Sequence, residues 1–191
     1  GGEGKYQPDL TSYDYAAPIS EQGRATKEFF KYREVIYDSL GDKAPEIPAI
    51  IATMSFAPVT PVFYASLRDN VEEPKKYDKL KSFEELGQNQ GMAIYRTMLS
   101  PGEAAELKFE RVADYAQIWL DGKRIATIDR RKKLSSILIP KRIDNSLLEI
   151  VVEAMGHINF GAGMRDDRKG IIGEVKLGDD KLSSWTMSLK P

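Results

Sequence analysis

From Gly91 onward the chain is written as short apolar alternations separated by turn residues: Met92 to Leu99, Glu106 to Val112, Tyr115 to Leu120, Arg124 to Ile128, Ser136 to Ile139, Leu147 to Glu153, Ile171 to Leu177 and Trp185 to Leu189. Short strands of this kind cannot bury their apolar faces singly. Two antiparallel layers packed face to face can, so the pattern predicts a β-sandwich. The sharpest local signal runs from Ala116 to Ala126, where Asp121-Gly122 stands between two alternating segments as a type I′ hairpin requires. Period two then places Ala116, Ile118 and Leu120 on one face and Gln117 and Trp119 on the other. No unit of about 20 to 50 residues recurs, which argues against a solenoid or a propeller.

Upstream the grammar differs. Ala25, Phe29, Tyr32, Ile36 and Leu40 fall on one face of an α-helix, with Ser20 where an N-cap belongs and Gly41 as the stop. Beyond Pro45, Ile50 to Phe56 and Val62 to Leu67 read as two short strands separated by a proline-bearing turn. The stretch from Arg68 to Leu80 mixes both signs of charge and reads as a solvated loop or short helix.

Composition narrows the function classes. The chain has 191 residues, 41% of them hydrophobic and 30% charged, with 28 Lys+Arg against 29 Asp+Glu. A net charge of −1 is that of a globular domain, not of a polyanion-coating protein, so no nucleic-acid partner is implied. The longest uncharged apolar stretch, Ile47 to Leu67, is broken by Pro48, Pro58 and Pro61 and cannot serve as a spanning helix, so no membrane partner is implied either. With no cysteine there is neither a disulfide framework nor thiol chemistry.

Several catalytic patterns fail on spacing. His157 is the only histidine, and neither a G-x-S-x-G elbow nor a second histidine at ligand spacing accompanies it, so it reads as a loop or interface residue. The carboxylate dipeptides Glu72-Glu73, Glu84-Glu85 and Asp166-Asp167 point to opposite faces of an extended chain and make no facing pair by themselves. Gly161-Ala162-Gly163 lacks the following helix of a dinucleotide site, and Arg130-Arg131-Lys132-Lys133 reads as a solvated turn. Calcium at Asp166 and Asp167 would need further oxygen ligands, so no metal and no cofactor is assigned.

Aromatic residues are the candidates for sugar binding, because sugar CH faces stack on indole or phenol rings. Trp119, Trp185 and Tyr95 lie on expected strands, where the competing role is core or cross-strand packing. Tyr13 and Tyr15 alternate with Asp14 in a Pro/Gly-rich segment, so both rings project the same way if that segment is extended, which suits the wall of a sugar pocket.

The segment Lys5-Tyr6-Gln7-Pro8-Asp9-Leu10-Thr11-Ser12-Tyr13-Asp14-Tyr15-Ala16-Ala17-Pro18, followed by a helix, resembles the end of the catalytic barrel in glycoside hydrolase family 35 β-galactosidases. Ser82-Phe83-Glu84-Glu85-Leu86-Gly87-Gln88, Tyr95-Arg96-Thr97, Ile118-Trp119-Leu120-Asp121-Gly122, Glu153 through Gly161 and Lys169-Gly170-Ile171 resemble successive segments of the first β-domain after that barrel. Ala16 stands where the tyrosine motif usually has Asp, and Ala154, His157 and Phe160 replace the usual Asn, Arg and Tyr.

The resemblance implies a mainly β fold, a jelly-roll or galactose-binding-like sandwich over residues 45–191, with residues 1–44 holding the last barrel strand and one N-terminal helix. It implies a noncatalytic role: support of a catalytic barrel, with that barrel and a second β-domain of the parent enzyme as partners, galactosides as ligands and a periplasmic or extracellular location. The acid/base and nucleophile glutamates of the family lie on barrel strands preceding this region, so the chain alone is expected to be inactive. Tyr13 and Tyr15 match tyrosines near the family's galactose pocket. Two other roles compete: an independent carbohydrate-binding module using Trp119, Trp185 or Tyr95, and an assembly domain docking a partner through its helix. An uncovered helix face would favour homo-oligomers.

Overall fold

The computed structural model describes residues 15–41, 45–132 and 134–190. These fall into two compact units, divided between Phe63 and Tyr64. The larger is a two-sheet antiparallel sandwich, so the chain is mainly β with one helix, as its alternations predict.

In the smaller unit, α1 runs from Lys27 to Leu40 and ends at Gly41, whose N–H donates to the Tyr37 carbonyl at φ 59°. The helix starts later than the apolar spacing suggests. Ser20 opens a tight turn instead, its hydroxyl accepting from Arg24 N, and an Ile19–Ala25 bridge closes that turn. Ala25 is thereby withdrawn from the helix. No residue of α1 is buried, and Tyr32, Ile36 and Leu40 of the expected apolar face stand open. The two strands expected within residues 50–67 do not form. Residues 45–66 have no regular structure, and Ile50, Ile51, Met54, Phe56, Val62 and Phe63 are exposed. Pro45, Pro48, Pro58 and Pro61 remove ladder donors around the ends of the expected strands, and no partner strand for the segment lies among the described residues.

The sandwich is built from β1 (Lys75–Tyr77), β2 (Met92–Leu99), β3 (Ala105–Ala113), β4 (Tyr115–Leu120), β5 (Lys123–Asp129), β6 (Ser136–Ile139), β7 (Ser146–Glu153), β8 (Gly170–Leu177), β9 (Asp180–Lys181) and β10 (Trp185–Lys190). One sheet has the order β1-β10-β2-β7-β4-β5 and the other β6-β3-β8-β9. The β4–β5 turn has positive φ at both Asp121 and Gly122, as type I′ demands. β1 and β9 escaped the sequence reading because each is two or three charged-flanked residues long; β1 lies inside the run expected to be a loop.

Inward-facing alternates form one core. Ala93, Tyr95 and Leu99 of β2, Ile118 of β4, and Leu148, Ile150 and Val152 of β7 meet Leu107, Phe109, Ile139, Ile171 and Val175 of the opposite sheet. Trp185 and Tyr95 are among the largest fully buried side chains. The Trp185 Nε1–H donates to the Leu182 carbonyl at 3.3 Å and the Tyr95 hydroxyl to the Lys81 carbonyl at 3.1 Å. Burial pushes the Tyr95 phenol far above its usual range. Both rings are therefore packing elements here, enclosed by the second sheet and the loops at its ends.

Candidate functional site

Two polar constellations stand out, one on the outer face of the six-stranded sheet and one beneath a glycine-rich loop. On the outer face, period two aligns Trp119 of β4 opposite Glu149 of β7, and Glu149 opposite Arg96 of β2. Glu149 is nearly buried and takes Arg96 Nε at 2.6 Å on one oxygen and the Arg68 guanidinium on the other. Arg68 arrives on the short 3-10 turn Leu67–Asp69, and its own N–H donates to the Ser66 hydroxyl. Its guanidinium lies 4.3 Å from the centroid of the Trp119 ring, a stacking geometry suited to a planar cation. Desolvation, and then the charge of Arg68, lower the pKa of Arg96. Beside this stack is a cavity of about 310 Å³, lined among others by Tyr115, Gln117, Trp119 and Glu153. The buried Trp119 Nε1–H has no acceptor among the described residues.

The second constellation is a buried charge cluster. Lys169 is fully buried, with its Nζ 2.8 Å from Asp114 Oδ2 and 3.2 Å from Asp167 Oδ2, and it also donates to the Gly156 carbonyl. Arg130 closes the ring, its Nη1 reaching Asp114 Oδ1 at 2.9 Å and Asp167 Oδ1 at 2.7 Å. Two cations and two carboxylates thus neutralise each other inside the fold, the only arrangement in which such burial is tolerable. Spare acceptor capacity goes to the loop: Asp114 Oδ2 accepts from Met155 N and Asp167 Oδ2 from Ile158 N, both at 2.8 Å. His157 lies between the carbonyls of Asp167 and Asn89, at 3.0 Å and 2.8 Å from its two ring nitrogens. The glycine-rich segment is therefore held at its base, while Phe160 and Met164 project from it into solvent.

Desolvation pushes the Asp167 carboxyl up, but the Arg130 hydrogen bond, the Ile158 N–H and Lys169 together outweigh it and hold the group below the usual carboxylate range. A folded-state value below the unfolded one of about 3.9 makes Asp167 stabilising above that pH, and the contribution disappears as pH falls through the folded value. The urea midpoint is accordingly expected to fall between about pH 5 and pH 2, and Asp167→Asn should flatten part of that fall. An unchanged pH profile in Asp167→Asn would remove this group from the acid response.

Of the residues singled out from sequence, Trp119 alone combines a described position, partial exposure and a neighbouring cavity. Tyr15 is 78% exposed in the smaller unit, Tyr95 and Trp185 are core, and Tyr13 lies outside the described residues. Arg130, read as part of a solvated turn, is an inner partner of two buried aspartates, and Arg131 pairs with Asp129 at 2.7 Å. Among the described residues no three His, Asp or Glu side chains converge as a metal site. No described helix is long and apolar enough to cross a membrane.

The profile of the family described as "Beta-galactosidase, first all-beta domain" matches residues 81–190. The chain belongs to this family. The matched region begins beside the Lys81 carbonyl that anchors Tyr95 and ends with β10, so the first all-beta domain coincides with nearly the whole sandwich. Full-chain relatives agree. A β-galactosidase from Xanthomonas manihotis is 33% identical over 94% of this chain, the human β-galactosidase-1-like protein 2 is 32% identical over 94%, and the mouse β-galactosidase is 32% identical over 98%. The chain spans only about 30% of the length of these relatives. The buried cluster and the Arg68–Trp119 stack are therefore features of a first all-beta domain and its immediate approach.

Proposed function

We propose that the chain is the noncatalytic β-sandwich portion of a β-galactosidase-type glycoside hydrolase and that it supports a catalytic barrel by packing against it. The observation that carries this reading is the charge-free stretch from Ile47 to Phe63 of the smaller unit, whose large apolar side chains Ile50, Ile51, Met54, Phe56, Val62 and Phe63 stand exposed. Large apolar side chains left exposed in this number mark a docking segment, and prolines that preset φ leave less backbone freedom to lose on docking. The β-galactosidase relatives are far longer than this chain, which supports a partner within the same enzyme; on this reading it is the catalytic barrel together with a second β-domain. On this reading Tyr13 and Tyr15 belong to the wall of the parent's galactose pocket, and residues 1–44 are the end of its barrel.

Glycoside hydrolysis uses two carboxyl groups roughly 5 to 9.5 Å apart across the sugar. In the sandwich, Asp114, Asp129, Glu149 and Asp167 are each committed to arginine or lysine partners. The purified chain is expected to show no turnover of an aryl β-galactoside. Turnover abolished by Glu84→Gln or Glu85→Gln would overturn the support reading.

Sugar binding at Trp119 is the second reading, favoured by its cavity and its unmatched indole N–H. Galactose added to isotope-labelled chain separates the two. Absence of saturable amide shifts at tens of millimolar, weaker than about −3 kcal/mol, leaves the support reading in place. Saturable shifts at Tyr115, Gln117 and Trp119 would make the sandwich a carbohydrate-binding module.

A further inference from the structure

The edge of the six-stranded sheet carries a groove that neither reading uses. Its volume is about 770 Å³, within the range of small-molecule sites. It is lined by Lys76, Lys79 and Lys81 together with Tyr77, Ser184 and Thr186, and Asp78 is the single carboxylate among its lining residues. Register places these groups opposite one another: Lys76 pairs with Thr186 and Tyr77 with Trp185 across the β1–β10 ladder.

Positive charge gathers in this groove. Arg68, Arg96, Arg130, Arg131, Lys169 and Lys181 are each held by a carboxylate partner. Lys76, Lys79 and Lys81 have none among the described residues, although the chain as a whole carries a net charge of −1. Three unpaired ammonium groups around one concavity focus a positive field there.

The walls are also fixed in place. Thr97 Oγ1 donates to the Ser183 carbonyl at 3.0 Å and Trp185 Nε1 to the Leu182 carbonyl, so the loop before β10 is pinned from both sides. Ser184 is held at φ 59°, a left-handed conformation that side chains bearing Cβ rarely adopt and that tends to persist at ligand sites. On the opposite wall the Lys81 carbonyl is tied to Tyr95, and Lys81 Nζ lies 5.4 Å from the centroid of the Tyr77 ring. The backbone that carries the hydroxyl and ammonium groups is thus held by these hydrogen bonds.

We propose that this groove binds an anionic saccharide, one carrying a carboxylate or sulfate group. The lysines supply the counter-charge, and Ser184, Thr186 and the Tyr77 hydroxyl match sugar hydroxyls. A lone inorganic anion would use the lysines and leave most of the volume and the hydroxyls without a role.

The test is an amide NMR titration of the labelled 191-residue chain with sulfated lactose, lactose and sodium sulfate in parallel. Sulfated lactose is expected to give saturable shifts at Tyr77, Ser184, Thr186 and the Trp185 indole, with lactose and sodium sulfate each at least about tenfold weaker. The double variant Lys76→Glu/Lys79→Glu is expected to lose at least about tenfold of that affinity. If the charge reversal disturbs folding, Lys76→Gln/Lys79→Gln provides the same comparison with the positive charge removed. Equal responses to lactose and sulfated lactose would overturn the proposal, and so would sodium sulfate matching the sulfated sugar, which would reduce the groove to a simple anion site. Absence of saturable binding, with the glutamine variant merely more prone to aggregate, would assign the lysines to protection of the β1 edge and equally overturn it.

Discussion

Lys169→Met is expected to destabilise the sandwich by about 3 to 5 kcal/mol, the usual cost of removing one member of a buried ion pair. Methionine matches the length of the lysine stem but removes the ammonium group shared by Asp114, Asp167 and the Gly156 carbonyl. In a domain of this size the loss corresponds to a fall in melting temperature on the order of 10 °C, measurable by calorimetry. Restoring charge balance should recover part of it: Lys169→Met/Asp114→Asn is expected to lie above the sum of the two single effects, because each removes the other's uncompensated group. A single-variant loss below about 1 kcal/mol would mean that the cluster is solvated in solution and is not the anchor of the 154–167 loop.

The second large effect is expected one residue further on. Gly170 sits at φ +98°, and a Cβ there would approach Phe83 Cδ1 to 2.9 Å and meet the Tyr95 hydroxyl more closely still. Gly170→Ala therefore combines backbone strain with overpacking, about 2 to 5 kcal/mol in all. Tyr95→Phe alone should cost about 1 to 2 kcal/mol, since its hydroxyl donates to the Lys81 carbonyl from inside the core. Combined with Gly170→Ala it clears one of the two collisions, so the double variant is expected to be more stable than additivity predicts by about 1 kcal/mol. Strict additivity in urea unfolding would show that the steric account of Gly170 is wrong and that conformational strain alone sets the cost.

Period-two patterning made most of the sandwich readable before any coordinates. β2, β4 and β6 begin and end where their alternations do, because each has one face in the core and one outside, and Asp121-Gly122 fixes the hairpin by its own backbone preference. The segment Ile50–Phe56 forms no strand for a physical reason: apolar content is a strand signal only when a partner strand is available, and among the described residues none is. The charge cluster was hidden by distance along the chain. Asp114 and Lys169 are 55 residues apart, and Lys169 closes a run of mixed charges that by itself looks like surface. Around Trp119 half of the answer was present. Outward positions at 96, 119 and 149 could be assigned from alternation, but the register that joins them, and the arrival of Arg68 over the indole, are properties of the assembled sheet.

Strand order bears on how the domain is made. Among the described strands β10 comes last in sequence, yet in space it is inserted between β1 and β2, and it is the neighbour that β1 pairs with. A chain emerging vectorially can zip β2 to β7 and β7 to β4 early, but β1 must wait, unpaired, until Trp185–Lys190 has left the ribosome. Completion of the six-stranded sheet is thus coupled to the end of synthesis of this region. A break between β9 and β10 would remove an interior strand and Trp185 together, so the two parts could function only as a fragment pair that reassembles by strand insertion.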